Sequence, residues 1–248
     1  MTDIDRMPRG GPKASCLDRL LQTDRQEYLD RDDVDPAVKR QVVRALERTG
    51  RWFGNHDRFA HIALEEIAEV PDPRILELGA GHGGLSAKLA EMHPTATLTV
   101  TDIEPDSVAA IAAAEWTADP RITVRPMDAT AIDAPDGAYD LAVFALSFHH
   151  LPPAAAARVL AEGTRVAATL VIIDLPRPPA PLHLLRLAAM APLAPFVPFV
   201  HDGLISSLRS YSPSALRALA ADAGVHVELR GGLFDAQTVI ATASTLEP

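Results

Sequence analysis

The apolar positions fall into two textures. In the first 70 residues they recur at helical spacing. Leu17, Leu20, Leu21 and Tyr28 form one such series, behind a polar stretch whose Pro8, Gly10, Gly11 and Pro12 predict a loose tail over residues 1–14. Asp35-Pro36 reads as a helix start, because Asp accepts the free N–H groups of a first turn and Pro suits its first position; Val38, Val42, Val43 and Leu46 make the stripe behind it. After Gly50 to Gly54, a third helix carries Phe59, Ile62, Ala63, Ile67 and Val70 on one face. From Pro73 onward short apolar runs alternate with amphipathic ones. Strands are predicted over 74–78, 96–101, 121–125, 139–146 and 167–173. Helices are predicted around Leu85, Leu89 and Met92, over 105–116 and over 153–162. Such alternation implies βαβ units and a mostly parallel sheet covered on both faces.

The end of the chain breaks the rhythm. Residues 176–211 are a Pro-rich apolar insertion, and Ser212-Pro213 opens a helix reaching Asp222. The strands 225–230 and 237–243, joined through Gly231-Gly232, then read as an antiparallel hairpin. Residues 182–200 are apolar over a membrane-spanning length, but they contain His183 and Arg186, and Pro192, Pro195 and Pro198 interrupt any helix. No integral membrane segment is expected. The stretch is open to two roles, a cover over a substrate or a homodimer interface. The expected division is a helical extension and substrate cap at 1–70, then an α/β domain at 71–248 with a lid insertion at 176–211.

Composition narrows the partner. With 48% hydrophobic and 23% charged residues, the 248-residue chain has material for a real core. A formal net charge of −10 disfavours nucleic acid, whose phosphates call for a basic face, and favours a small molecule. The lone Cys16 excludes an intramolecular disulfide and a cysteine metal cluster. It fits a reducing, cytoplasmic setting, and the N-terminal sixteen residues lack the apolar core of a signal peptide.

The strongest chemical signal is the run Ile75-Leu76-Glu77-Leu78-Gly79-Ala80-Gly81-His82-Gly83-Gly84, a strand entering a glycine loop that opens a helix. Glycines permit positive φ and let a ligand approach the backbone, with helix N–H groups aimed at it. A nucleoside cofactor at the carboxyl end of the first strand follows. Gly79, Gly81 and Gly84 alone also satisfy the dinucleotide pattern G-x-G-x-x-G, so the loop does not choose between cofactors. Three acids separate the readings. Glu77 precedes the loop by two residues, within reach of the amino group of a methionine moiety. Asp102 ends the second strand, where a ribose-binding carboxylate is expected. Asp128 follows the third strand, from where a carboxylate can accept a bond from an adenine amino group.

With these motifs the chain resembles the class I S-adenosylmethionine-dependent methyltransferases, strongly over residues 70–175. The carriers are E-L-G-A-G-H-G-G at 77–84, T-D-I at 101–103, M-D-A at 127–129, D-G-A-Y-D-L at 136–141 and A-L-S-F-H-H-L at 145–151. The resemblance implies a Rossmann-like α/β fold whose seven-stranded, mostly parallel sheet has the order 3-2-1-4-5-7-6 and an antiparallel last hairpin. It implies S-adenosylmethionine as cofactor, with Glu77, Gly79, Ala80 and Gly81 at the methionine end, Asp102 at the ribose, and Ile103, Met127, Asp128 and Ala129 about the adenine. Phe144 at the end of the fourth strand joins this set. The chain departs from relatives in reading Ala161-Glu162-Gly163-Thr164 where Lys-Pro-Gly-Gly is common.

His149 and His150 follow the fourth strand, where a histidine could take a proton from a hydroxyl or amine as it is methylated; a histidine that only shapes the loop is the alternative. No metal site is expected, since adjacent histidines rarely converge on an ion and no carboxylate set accompanies them in sequence. Substrate walls are expected from Trp52 and His56, beside Phe53 and Arg58, and from His201, Arg209 and Tyr211 in the insertion. The aromatic group near Trp52 is equally open to a packing role. The place of an Asn/Asp-Pro-Pro-aromatic motif reads Phe144-Ala145-Leu146-Ser147, which argues against methylation of a nucleic-acid base amine. The expected activity is methylation, on oxygen, of a small and rather hydrophobic metabolite of secondary metabolism. An NAD(P)-dependent oxidoreductase and a non-catalytic methyltransferase-like binding protein are the alternatives.

Overall fold

A computed structural model describes residues 4–232 and 235–244. The N-terminal helices are α1 (Cys16–Leu20), α2 (Pro36–Trp52) and α3 (Asn55–Glu65). The βαβ region follows as β1 (Arg74–Leu78), α4 (Gly84–Met92), β2 (Thr97–Asp102), α5 (Pro105–Ala112), β3 (Ile122–Pro126), β4 (Tyr139–Ala145), α6 (Pro153–Val166) and β5 (Ala167–Asp174). Residues 176–211 contribute α7 (Ala180–Met190) and α8 (Pro198–Arg209). The chain then runs through α9 (Pro213–Ala223), β6 (Val225–Arg230) and β7 (Gln237–Ala243).

These strands form one seven-stranded sheet of order β3-β2-β1-β4-β5-β7-β6, with β7 antiparallel to both β5 and β6. The alternation read from the sequence is the alternation of its two cores. Leu76, Leu78, Ala142, Phe144, Leu170 and Ile172 face α6 and α9, while Ile75, Leu141, Val143, Val171 and Ile173 face α3 and α4. Strand order reverses between β1 and β4, which pair in parallel from Ile75↔Leu141 to Leu78↔Phe144. The crevice beyond the carboxyl ends of those strands is where this architecture places ligands. Both predicted helix starts occur: the Asp35 carboxylate accepts from the Ala37 N–H at 2.7 Å, and the Ser212 hydroxyl from the Ala215 N–H at 3.1 Å.

Three local expectations fail for physical reasons. The predicted loose tail packs from residue 4 on, its first three residues lying outside the described residues. Met7 is buried in the α6–α9 core, and the Arg9 and Gly10 carbonyls accept from the Ser212 N–H and hydroxyl. The helical series from Leu17 to Tyr28 stops at Leu20, because the polar residues beyond it serve partners elsewhere in the fold. The helix expected over 105–116 ends at Ala112, and a 3₁₀ turn, Glu115–Ala118, swings Trp116 against the glycine loop. A Cβ at Gly83 would lie 2.8 Å from the Trp116 ring.

Buried guanidinium groups fasten the covering segments. Arg177 donates to the carbonyls of Asp18, Leu21, Leu208 and Ser210, tying α1 to α8. Arg9 donates to the His149 carbonyl at 3.1 Å and lies over the Tyr211 ring. Pro192 and Pro195 fall in the turn between α7 and α8, so the apolar stretch 182–200 is a bent helical pair. Among the described residues no helix is long and apolar enough to cross a membrane. Leu184, Leu185, Leu193 and Phe196 of this pair remain exposed.

Leu170 lies fully buried at the centre of β5, against Gly163 of α6. Leu170→Ala should therefore cost about 2–5 kcal/mol of stability, the usual range for a rigid core leucine. Urea unfolding reads this as a lower midpoint at unchanged slope.

Candidate active site

The first half of the site is built by β1, β2 and the loops that leave them. Gly79 and Gly81 adopt φ of +60° and +57°, which only glycine takes without strain. The glycine loop bends back on β2: the Ala80 N–H donates to the Thr101 carbonyl, and the Gly81 N–H to Asp102 Oδ2 at 2.8 Å. Asp102 Oδ1 accepts from the Glu104 N–H at 2.9 Å, so this carboxylate is fixed in orientation and keeps spare lone pairs. A Cβ at Gly81 would touch nothing within 4 Å, whereas one at Gly79 would strike the Phe144 ring. The loop is thus packed from below by Phe144 and open at Gly81.

Glu77 lies beneath that loop, 3% exposed, and its carboxyl accepts a hydrogen bond from the Ser86 hydroxyl of α4. Burial pushes its pKa up to about 8; the Ser86 bond opposes this and the nearby Asp102 charge adds to it. A carboxyl in that condition suits a cationic partner. Ile103 stands 62% exposed just past Asp102, while Met127 is buried and Ala129 half-buried. Asp128 is exposed and accepts from the Thr130 N–H and hydroxyl, both at 2.8 Å, so it shapes its turn whether or not it meets a ligand.

The second half of the site gathers at the ends of β4 and β5. Leu146 leaves β4 at a φ of +54° and donates its N–H to the Ile173 carbonyl at 2.7 Å. The chain then turns through a 3₁₀ segment, Phe148–His150. Ser147 points its hydroxyl at the Gly79 carbonyl, 3.4 Å away, so this turn adjoins the glycine loop. Asp174, the last residue of β5, holds His149 twice: it accepts from the backbone N–H and from Nδ1, each at 2.7 Å. His149 Nε2 faces Glu27 Oε1 at 3.3 Å, and Glu27 accepts from the Ser206 hydroxyl of α8 at 2.6 Å. His150 donates from Nδ1 to Asp30 at 3.0 Å. Arg209 donates to the His150 carbonyl at 2.5 Å and lies 3.4 Å from Asp30.

Burial alone would lower the pKa of His149. The charge and hydrogen bond of Asp174, followed by those of Glu27, outweigh it and push the imidazole up to about 9. For Glu27 and Asp174, burial likewise favours the neutral acid, but the imidazoles prevail and hold both below the ordinary carboxylate range. His149 is therefore an imidazolium between two carboxylates. In that state it is not a free base, and its backbone bond to Asp174 also shapes the turn. His150 is the partly exposed member of the pair.

The structure distributes the other expected residues unevenly. Arg209 joins the histidine turn, and His201 stacks on Tyr28 with ring centroids 3.8 Å apart while its Nδ1 meets Asp202 at 2.9 Å. His56 lies against Gly84 at the start of α4, where a Cβ would collide with its ring, so it borders the glycine loop. Trp52 stands 86% exposed at the end of α2. Tyr211 is buried under the turn, its hydroxyl donating to the Leu151 carbonyl at 2.8 Å, and supports the turn from below.

Glu27, Asp30 and Asp174 were missed by sequence reasoning. Asp174 left a signal, an acid closing the apolar run Leu170-Val171-Ile172-Ile173 at the carboxyl end of a parallel strand. Glu27 and Asp30 left none, since they sit among other polar residues 122 and 120 positions from the histidines they meet. The reason for expecting no metal, that carboxylates were lacking, fails here: Glu27, His149 and His150 bring three potential ligand atoms within 4.8 Å of one another.

This strand order is that of the class I S-adenosylmethionine-dependent methyltransferase fold, and residues 75–169 match the family described as "Methyltransferase domain". That match runs from β1 into β5. Among curated proteins the chain is 31% identical over 132 residues to a demethylmenaquinone methyltransferase of Thermus thermophilus, covering 51% of this chain and 58% of that one. It is 42% identical over 48 residues to a release factor glutamine methyltransferase of Deinococcus radiodurans, covering 19% and 17%. The chain thus spans less than two thirds of the length of either relative. Among solved structures, magnesium protoporphyrin IX methyltransferase of Synechocystis, with bound S-adenosylhomocysteine, superposes with a TM-score of 0.57 at 16% identity. That match covers 88% of this chain and 91% of the other, and shows a shared fold.

Glu77 provides a pH test. Its folded pKa lies above the unfolded value of 4.5, so its contribution to stability is full below that value and is lost as the pH rises through about 8. Relative to Glu77→Gln, the ligand-free wild type should lose stability between pH 5 and pH 8.5, read from paired urea titrations. A difference that stays flat with pH would show Glu77 already ionised.

Proposed function

We propose that this chain transfers the methyl group of S-adenosylmethionine to an oxygen of a small, largely apolar acceptor. The observation that carries the reading is Glu77. It is a buried carboxyl with a raised pKa beneath a glycine loop that is open at Gly81 and beside a backbone-anchored Asp102. These residues fit the cofactor chemically. Glu77 would ionise against the methionine ammonium and Asp102 would accept from ribose hydroxyls, while Ile103, Met127, Asp128 and Ala129 would border the adenine. Bound there, the cofactor supplies an activated methyl on a sulfonium and leaves as S-adenosylhomocysteine. The protein's own part is to position the acceptor and exclude water.

The acceptor's place is the covered space beside the histidine turn. Asp174 fixes His149, and His150 presents the more open edge. Glu27, Asp30 and α8 cover the turn, which supports a capping role for the N-terminal segment and the lid. The apolar pair α7 and α8 suits an acceptor with an apolar body, a class that includes what the Thermus relative's name specifies. The exposed leucines of α7 are the surface on which two copies would meet. A nicotinamide-dependent reaction has no comparable support, because it leaves the raised Glu77 without a partner.

Calorimetric titration of the purified chain with S-adenosylmethionine, S-adenosylhomocysteine and NAD(P)H tests the reading. Both adenosyl ligands should bind, and Asp102→Ala should weaken them roughly 10–100-fold, the value of lost hydrogen bonds to a charged group. Because the ammonium would ionise Glu77, binding at pH 7 should also release a proton, seen as a dependence of the heat on the buffer's ionisation enthalpy. Binding of the nicotinamide alone would overturn the proposal.

A further inference from the structure

We propose that Glu27, His149 and His150 bind one first-row divalent cation, with Asp174, Asp30 and Ser206 orienting the three ligands. The distances distinguish this from a plain hydrogen-bond network. The contacts at the Nδ1 atoms are hydrogen bonds of ordinary length, 2.7 Å from His149 to Asp174 and 3.0 Å from His150 to Asp30. Those at the Nε2 atoms are longer. His149 Nε2 lies 3.3 Å and His150 Nε2 3.9 Å from the same oxygen, Glu27 Oε1. The second is too long for a hydrogen bond and the first is at its outer edge. Ligands held ~2.0–2.1 Å from a tetrahedral ion stand ~3.3 Å apart; of the three pairs, His149–Glu27 already has that separation, His150–Glu27 needs a contraction of some tenths of an ångström, and the two histidines lie within 4.8 Å.

The supporting groups point the same way. A metal-binding histidine typically donates its other nitrogen to a carboxylate, which fixes the ring and strengthens the ligand. Here both histidines do so, to two different acids from two distant parts of the chain. The carboxylate ligand is held likewise, by the Ser206 hydroxyl on Glu27 Oε1 at 2.6 Å. The imidazole rings are tilted by 37° with centroids 4.3 Å apart, and both Nε2 atoms face the same Glu27 oxygen. Asp174 secures the backbone N–H of His149 as well as its ring, and Arg209 and Arg9 hold the carbonyls of His150 and His149. The donor atoms are therefore fixed before any ion arrives.

Two imidazoles and one carboxylate select Zn²⁺, Co²⁺ or Fe²⁺ over Mg²⁺ and Ca²⁺, which prefer all-oxygen shells. The ion takes the place of the proton on His149 Nε2. Three protein ligands leave a coordination position free, on the partly exposed side of His150. Resting on the methyl-transfer reading, that position would receive the acceptor's oxygen, since Ser147 joins the same turn to the glycine loop.

The test is equilibrium dialysis of the untagged, metal-stripped full chain against Zn²⁺, Co²⁺ and Mg²⁺, without cofactor or acceptor. One equivalent of Zn²⁺ and of Co²⁺ should bind, and Mg²⁺ should not compete. His150→Ala and Glu27→Gln should each weaken Zn²⁺ at least 100-fold, and Asp30→Ala, which removes no ligand, about 10–100-fold. His150 is at the edge of the cluster, so its variant retains the fold, which circular dichroism checks. Absence of stoichiometric Zn²⁺ binding to the wild type, or affinity unchanged in both ligand variants, would overturn the proposal. Neither result bears on the adenosyl titration, which is run metal-free.

Discussion

The grip of Asp174 on His149 is the constraint around which the rest is arranged. Both residues are buried at the carboxyl end of the sheet, where an isolated charge would be costly. Together they remain ionised, and the backbone bond from His149 to the same carboxylate fixes the turn after β4. The unmet side of the imidazole then requires a second acid, and the fold brings Glu27 from the N-terminal segment. The cover is thus held by electrostatic demand from below as much as by its own apolar contacts, which in the described residues amount to a small cluster around Leu21, Ala180 and Leu187.

This explains why the covering segments contain so many buried guanidinium and hydroxyl groups. Arg9, Arg177 and Arg209 donate chiefly to backbone carbonyls of loops and helix ends. These carbonyls would otherwise be buried without partners, since irregular backbone cannot satisfy itself as a helix or sheet does. The N-terminal segment, the turn after β4 and α8 become one polar-laced layer over the crevice. The glycine loop is held to β2 by the Ala80 N–H on the Thr101 carbonyl and the Gly81 N–H on the Asp102 carboxylate, with Glu77 buried beneath it.

The two halves answer different chemical demands. Glu77 and Asp102 form an acidic floor suited to an ammonium and to ribose hydroxyls. The histidine turn supplies a cluster in which imidazole and carboxylate alternate. Fold alone does not specify a reaction, so the separation matters. The motifs of the resemblance supply the glycine loop and both histidines, while Glu27 joins them from the N-terminal segment.

What the sequence by itself determined is whatever depends on local order. Alternating apolar residues set the strands and their two faces, Asp35-Pro36 and Ser212-Pro213 set helix starts, and the glycine run set the loop above Glu77 and beside Asp102. All of these are encoded within a few residues, because strand pleat, helix caps and positive-φ turns are short-range physics. The burial of Met7 and Arg9 that pins the tail, the Tyr211 hydroxyl beneath the turn and the exposure of Trp52 follow from tertiary packing. It alone joined Glu27 and Asp30 to histidines 120 residues away. Nothing local marks such a partner: a polar residue in a loop acquires its role only when folding buries a complementary charge beside it.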